Sequence, residues 1–247
     1  MKNKSIKLLW QLLVVVLFLS GIYLFVKPEK EVLPTPPKKE NALEVVAKPK
    51  ETALTLPKVS PDDWQLVLVN REHIKEEMSP ELMDVNGISV DKRIEQAVAD
   101  FLAAAQAIDP QEHLISGYRS VAYQEELYQS YLAQEMANDP NLTQKAAEAL
   151  VQTYSQPAGA SEHLTGLAID MSTVDSLNAS DPVVAKEVQK MAPQFGFVLR
   201  FPEGKEDITG VGYEDWHYRF VGKRSANYMT QHKLTLEEYI AQLKENQ

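Results

Sequence analysis

The chain has 247 residues, 44% of them hydrophobic, which is enough for one domain with a substantial core plus appendages. It contains no cysteine, which excludes disulfides, thiolate metal sites, cysteine nucleophiles and a cysteine-linked lipid. The net charge of -10 is unevenly spread: residues 1–60 carry 10 Lys and Arg against 5 Asp and Glu, residues 61–247 carry 15 against 30, and so acidic a balance argues against a nucleic-acid partner.

In chain order, Lys2, Lys4 and Lys7 precede an uncharged stretch from Leu8 to Val26. As a helix it would be roughly 28 Å long, about the thickness of a bilayer's hydrocarbon core. The lysines would stay cytoplasmic and the rest of the chain would lie outside the membrane. The stretch is longer than the apolar region of a cleaved signal peptide and ends on the bulky run Ile22-Tyr23-Leu24-Phe25-Val26. An uncleaved, single-pass signal anchor over residues 1–26 is therefore expected in preference to a cleaved signal. Residues 27–60 hold Pro28, Pro34, Pro36, Pro37, Pro49 and Pro57 and no aromatic residue. They read as a disordered, semi-stiff linker.

The folded domain is expected over residues 61–247. Trp64 to Asn70 reads as a first strand, and Val90 to Ile108 as a helix whose stripe is Ile94, Ala97, Val98, Phe101, Leu102 and Ala105. His113 to Tyr118 reads as a short strand leading into Arg119. Helices are expected at about Val121–Met136 and Thr143–Ser155; residues 137–155 read either as a lid or as a packed helix. The loop Gln156 to Ala160 delivers His163. Leu167 to Met171 reads as a strand with Leu167, Ile169 and Met171 towards the core and Ala168 and Asp170 facing away.

Asp181-Pro182 opens a helix, with Asp as N-cap and Pro at its first position, that ends near Gly196. Phe197 to Phe201 reads as a strand. After a polar, glycine-containing loop, Trp216, Tyr218 and Phe220 alternate with His217 and Arg219 in a last strand, with Glu214 at the turn that enters it. Thr235 and Glu238 fit a capping box for the final helix. The expected fold is α+β: helices packed on a small, largely antiparallel sheet that carries a metal site. There are no internal repeats.

Two segments carry the chemistry. Ser161-Glu-His163-Leu-Thr-Gly166-Leu-Ala168-Ile-Asp170 and Glu214-Asp-Trp216-His217-Tyr-Arg219 bring two imidazoles and two carboxylates. His163, Asp170 and His217 would give a cation two nitrogens and one oxygen, a mixture that suits zinc better than magnesium or calcium. Glu214 would then be free to move a proton. On spacing alone, metal ligation and ordinary core hydrogen bonding fit the two histidines equally. His73, His113 and His232 have no ligand-like neighbours and read as structural.

These segments resemble the VanY-type D-alanyl-D-alanine carboxypeptidases of the M15 zinc peptidases, a family that includes bacterial L,D-carboxypeptidases that trim peptidoglycan stem peptides. The pattern Ser-x-His-x-x-Gly-x-Ala-x-Asp is complete from Ser161 to Asp170, and Glu-x-Trp-His is complete from Glu214 to His217. A third element, Ser116-Gly117-Tyr118-Arg119-Ser120 followed by Gln124, also matches, and the likeness spans roughly Trp64 to Gly222. It implies Zn2+ held by His163, Asp170 and His217, Glu214 as the catalytic base, and Arg119 as a substrate-binding residue. Arg119 supplies the planar two-donor fork that a substrate acidic group needs. Gln124, Ser161 and Tyr118 are further candidates for substrate hydrogen bonds. Trp216 either lines the pocket or fills the core beneath the metal strand. The implied substrate is a peptidoglycan stem peptide losing its terminal D-alanine, with L,D cleavage of a tetrapeptide expected ahead of D,D cleavage of a pentapeptide. A peptidoglycan-binding module without turnover is the alternative from another class. No obligate protein partner is evident.

Overall fold

The computed structural model describes residues 54–246 except Leu177. The expected signal anchor, and all of the linker before residue 54, lie outside the described residues. Among the described residues no helix is long and apolar enough to cross a membrane. The end of the expected linker does not stand apart from the domain, because Leu56 and Val59 pack against the C-terminal helices.

The first expected strand is absent. Trp64–Leu66 is a single 3-10 turn, and the chain after it runs extended with only an isolated bridge between Asn70 and His73. Its carbonyls are satisfied another way: the Arg219 guanidinium donates to Gln65 O and Val67 O at 3.1 and 2.7 Å. A side chain takes the place of a neighbouring strand.

An antiparallel hairpin follows, β1 (Leu82–Val85) and β2 (Ile88–Asp91). Its turn is Asn86-Gly87, both at positive φ (49° and 91°), as a two-residue hairpin turn of the primed type requires. The helix expected from Val90 therefore starts later, as α1 (Glu95–Ile108), after a 3-10 turn at Lys92–Ile94.

The remaining strands are β3 (His113–Ser116), β4 (Ala168–Ser172), β5 (Phe197–Leu199) and β6 (His217–Phe220). They form one sheet in the order β3-β4-β6-β5, with every neighbouring pair antiparallel. The helices are α2 (Val121–Asn138), α3 (Gln144–Val151), α4 (Pro182–Met191), the short α5 (Glu206–Thr209), α6 (Lys223–His232) and α7 (Leu236–Glu245). Asp181 caps α4 by accepting from Val183 N and Val184 N, and Thr235 and Glu238 form the capping box of α7, each as the sequence predicts.

The main core lies between one face of the sheet and α1 and α4. Phe101 of α1 stacks on Phe195 and Phe197 (ring centroids 5.7 and 5.1 Å apart) and meets Tyr218 edge-on at 5.1 Å. Leu167, Ile169 and Met171 join this cluster, so Asp170 is turned to the opposite face, as alternation requires. A second cluster gathers Leu66, Val198, α6 and α7. A third, smaller one joins α2 to α3 through Tyr128, Leu132, Ala147 and Val151. Residues 144–151 are thus a packed helix.

At the start of β3, Glu112 is buried and its Oε2 has no partner. Burial first, and then the Asp109 charge, raise its pKa from an ordinary 4.5 to about 7. The fold therefore penalises the ionised form, and this group costs stability progressively as pH rises from the ordinary value through the raised one. Glu112→Gln is expected to raise Tm by a few degrees at pH 8 and to change it little at pH 4. Equal shifts at both pH values in thermal melts would contradict this.

Candidate metal centre

The register of the sheet places the site. In the β4–β6 ladder Asp170 pairs with His217, so both side chains leave the sheet's second face side by side. His163 reaches them from a 3-10 turn, Glu162–Thr165, that ends at Gly166 in the left-handed region (φ 66°). A Cβ on Gly166 would also sit 2.8 Å from Asp91 N, so glycine is required there both by φ and by the hairpin's close approach.

His163, Asp170 and His217 are all buried, and one donor atom from each lies within 4.8 Å of the others. His163 Nε2 is 3.3 Å from Asp170 Oδ2, and His217 Nδ1 is 3.4 Å from Asp170 Oδ1. Ligands about 2.1 Å from a tetrahedral zinc are separated by about 3.4 Å, so these spacings fit that ion. His163 Nε2 and Asp170 Oδ1 have no hydrogen-bond partner, a costly condition for buried polar atoms that a cation would relieve. Two nitrogens and a carboxylate fit zinc, and the residues present therefore fit the implied metal.

His163 presents a defined nitrogen. His163 Nδ1 donates to Gly117 O at 2.6 Å, which leaves the Nε2 lone pair facing the centre. Burial first, then the Arg119 charge, lower the His163 pKa to about 4, so the imidazole is neutral and able to ligate at neutral pH. Burial alone would raise Asp170, but His163, His217 and Arg119 outweigh it and hold the carboxyl well below the usual range.

The Gly117 carbonyl is itself held by the hairpin, because a Cβ there would collide with Ser89 O. Gly117→Ala is expected to destabilise the domain by about 1–3 kcal/mol. It should also weaken metal binding by shifting the acceptor that orients His163. Thermal melts and a zinc titration would check both; unchanged values would show that the hairpin yields without disturbing His163.

Glu214 sits in the loop entering β6, as expected, with its carboxylate 3.4 Å from His217 Nδ1. Burial first, and then the neighbouring Asp170 charge, push its pKa well above the carboxylate range. It is placed beside the ligand set and is not one of the three residues of the cluster. Arg119 reaches Asp170 from the other side, with Nη2 3.6 Å from Oδ2.

The remaining expected site residues divide. Arg119, Gln124, Ser161 and Trp216 line a cavity of about 510 Å³ together with the three ligands and Glu214. Trp216 thus belongs to the pocket and takes no part in the main core cluster. Gln124 is buried and committed: Oε1 accepts from Arg119 Nη1 at 3.0 Å, and Nε2 donates to Gln156 O at 2.7 Å. It steers Arg119 and has little left to offer a substrate. Tyr118 does not line the cavity; its hydroxyl donates to Glu77 Oε1 at 2.7 Å, and Glu77 also accepts from Val121 N at the start of α2.

Sequence reasoning missed two features. The far wall of the cavity includes Tyr123, Leu127 and Tyr131 of α2 and Tyr154 beyond α3. Glu162, an unassigned position inside the first motif, is buried behind His217 and paired with Arg200 and Arg219. Arg219 alternates in step with His217, but its side chain runs to Glu162 in the His163 turn and does not line the cavity. Two buried arginines call for a buried counter-charge, and that was the available signal.

The family model described as VanY, D-alanyl-D-alanine carboxypeptidase, matches residues 87–223, which include all three candidate ligands, Glu214 and Arg119. The chain belongs to the VanY family. A D-alanyl-D-alanine carboxypeptidase of Enterococcus faecalis is 35% identical over 200 residues, covering 79% of this chain and 74% of the relative. Among solved structures, a variant of the vancomycin-resistance D,D-pentapeptidase VanY in complex with Zn(II) is 34% identical, with a TM-score of 0.64, covering 72% of this chain and 99% of that one. An L,D-carboxypeptidase, DacB of Streptococcus pneumoniae, is 29% identical with a TM-score of 0.57, covering 70% of this chain and 84% of that one. This VanY-family chain therefore shares its fold with a D,D-pentapeptidase solved with Zn(II) and with an L,D-carboxypeptidase.

Proposed function

We propose that the chain is a zinc-dependent carboxypeptidase that removes the terminal D-alanine from peptidoglycan stem peptides. The observation that carries this is the convergence of His163 Nε2, Asp170 and His217 Nδ1 beside a protonatable carboxylate and an arginine on one cavity wall. A binding module without turnover would need neither Glu214 nor an open ligand set. The cavity's size suits the end of a peptide.

The chemistry that zinc supplies when bound is Lewis acidity towards a carbonyl oxygen and towards water. The chain's own residues do the rest. Glu214 takes a proton from the attacking water and hands it to the leaving amine, a role suited to a carboxylate whose pKa is raised by burial. Arg119, held by Gln124 and close to Asp170, orients the acidic or carbonyl oxygen of the substrate. Ser161 offers a hydroxyl within the cavity, while Trp216, Leu127 and Tyr131 bound the space for small apolar groups.

We favour the D,D bond of a pentapeptide, since the D,D-pentapeptidase VanY matches with higher identity and TM-score than the L,D-carboxypeptidase DacB. The L,D bond of a tetrapeptide, expected from sequence, is the second reading and is supported by the likeness to DacB. Incubation with pentapeptide and tetrapeptide muropeptides, followed by mass spectrometry, separates them. A kcat/KM at least tenfold higher on the pentapeptide supports D,D, and the reverse supports L,D. Trimming of neither peptide with zinc present would defeat the carboxypeptidase reading and leave binding. The lysine-flanked apolar stretch supports a further reading, that residues 1–26 anchor the chain with the catalytic domain outside the membrane. Loss of the domain on protease treatment of protoplasts would agree with it, and full protection would contradict it.

A further inference from the structure

Glu162 lies between Ser161 and a proposed ligand and lines the cavity with them, but its carboxylate meets His217 on the Nε2 side of the ring, not on the side that faces Asp170. It is buried, and Oε1 accepts from Arg200 Nε and Arg219 Nη1, both at 2.8 Å. Arg200 is held in turn by Glu237, at 3.0 and 2.6 Å, and Arg219 by the carbonyls of Gln65 and Val67. Two arginines and two glutamates thus form a charge-balanced network in the interior. Such networks are poor stability devices, because desolvation costs several kcal/mol per ion and apolar residues of the same shape would serve as well. Something else must account for this one.

The second carboxylate oxygen supplies it. Glu162 Oε2 has no hydrogen-bond partner, and neither has His217 Nε2. These two orphaned, buried atoms face each other at 3.8 Å. On the far side of the same ring, Nδ1 points towards Asp170 and Glu214, at 3.4 Å from each. For Nδ1 to offer a lone pair to a cation, Nε2 must carry the proton. The carboxylate within ion-pair reach of that N–H is Glu162.

We propose that Glu162 is a positioning residue for the metal centre: its Oε2 takes the Nε2–H of His217, which fixes that tautomer and turns Nδ1 to the metal. Arg200 and Arg219 hold the carboxylate in place and keep it charged. The two histidines are then oriented in complementary ways. A backbone carbonyl, Gly117 O, holds His163 by Nδ1, and a side-chain carboxylate holds His217 by Nε2. The network also ties the ligand to the C-terminal helix α7 through Glu237.

The inference rests on the metal reading above, and the experiment keeps the two apart. Zinc affinity of the full chain would be measured by competition with a chromophoric chelator, for wild type and Glu162→Gln. The His217 tautomer would be read from nitrogen-15 shifts of the apo protein. Glu162→Gln is expected to weaken zinc binding about 10- to 100-fold, the usual cost of losing such a support. It should also turn a single Nε2–H tautomer into a mixture. Zinc affinity within twofold of wild type, with the tautomer unchanged, would overturn the proposal. Should the variant fail to fold, the wild-type spectrum still decides: an Nδ1–H tautomer for His217 contradicts the proposal, and an Nε2–H supports it. A wild-type chain that binds no zinc would overturn the metal reading itself and this inference with it.

Discussion

Glu214→Gln is expected to lower turnover by about 10²- to 10⁴-fold, the range that one positioned acid–base group contributes. The side chain is buried, so an amide of the same shape fits the same space. His163, Asp170 and His217 are untouched, so zinc content should stay at one equivalent per chain, as the ligand set provides. Because the substitution also removes a carboxyl that the fold raises well above its ordinary pKa, it should not destabilise the protein at neutral pH. Near-normal kcat with metal retained would remove Glu214 from the proton-transfer role. Loss of metal along with activity would instead make it a ligand.

His163→Ala is expected to do the opposite: the metal goes first and activity follows. The imidazole supplies one of three ligand nitrogens and oxygens, and its removal also strands the buried Gly117 carbonyl. Metal affinity should fall by more than about 100-fold, beyond the cost of losing a supporting residue alone. Elemental analysis after gel filtration would show it, and a full zinc equivalent in the variant would strike His163 from the ligand set. Together the two substitutions separate holding the metal from moving the proton.

The candidate site was legible in the sequence because its residues are concentrated in two short segments. Strand alternation alone sent Asp170 and His217 to the face opposite Ile169 and Tyr218, and the ladder brings them together. The caps at Asp181 and Thr235 are local signals, and each appears where it was expected. What was not legible depends on contacts between distant segments. Residues 64–70 have the apolar content of a strand, but Arg219, more than a hundred residues away, takes their carbonyls. Tyr118 lies beside Arg119 in sequence, yet Glu77 draws its hydroxyl away from the cavity. The role of Glu162 required two arginines from separate strands or loops to be seen converging on it. The hairpin at 82–91 is a different matter: Asn86-Gly87 flanked by Val85 and Ile88 is a strong turn signal, masked by the apolar stripe that follows it.

The central claim is that a metal held by His163, Asp170 and His217 drives removal of a terminal D-alanine. The most direct test is D-alanine release from a muropeptide pentapeptide by the purified protein as isolated, after exhaustive chelation, and after zinc is restored, with zinc content measured at each stage. The account predicts release that vanishes with the metal and returns in proportion to zinc, up to one equivalent. Release that persists at full rate in metal-free protein would contradict it.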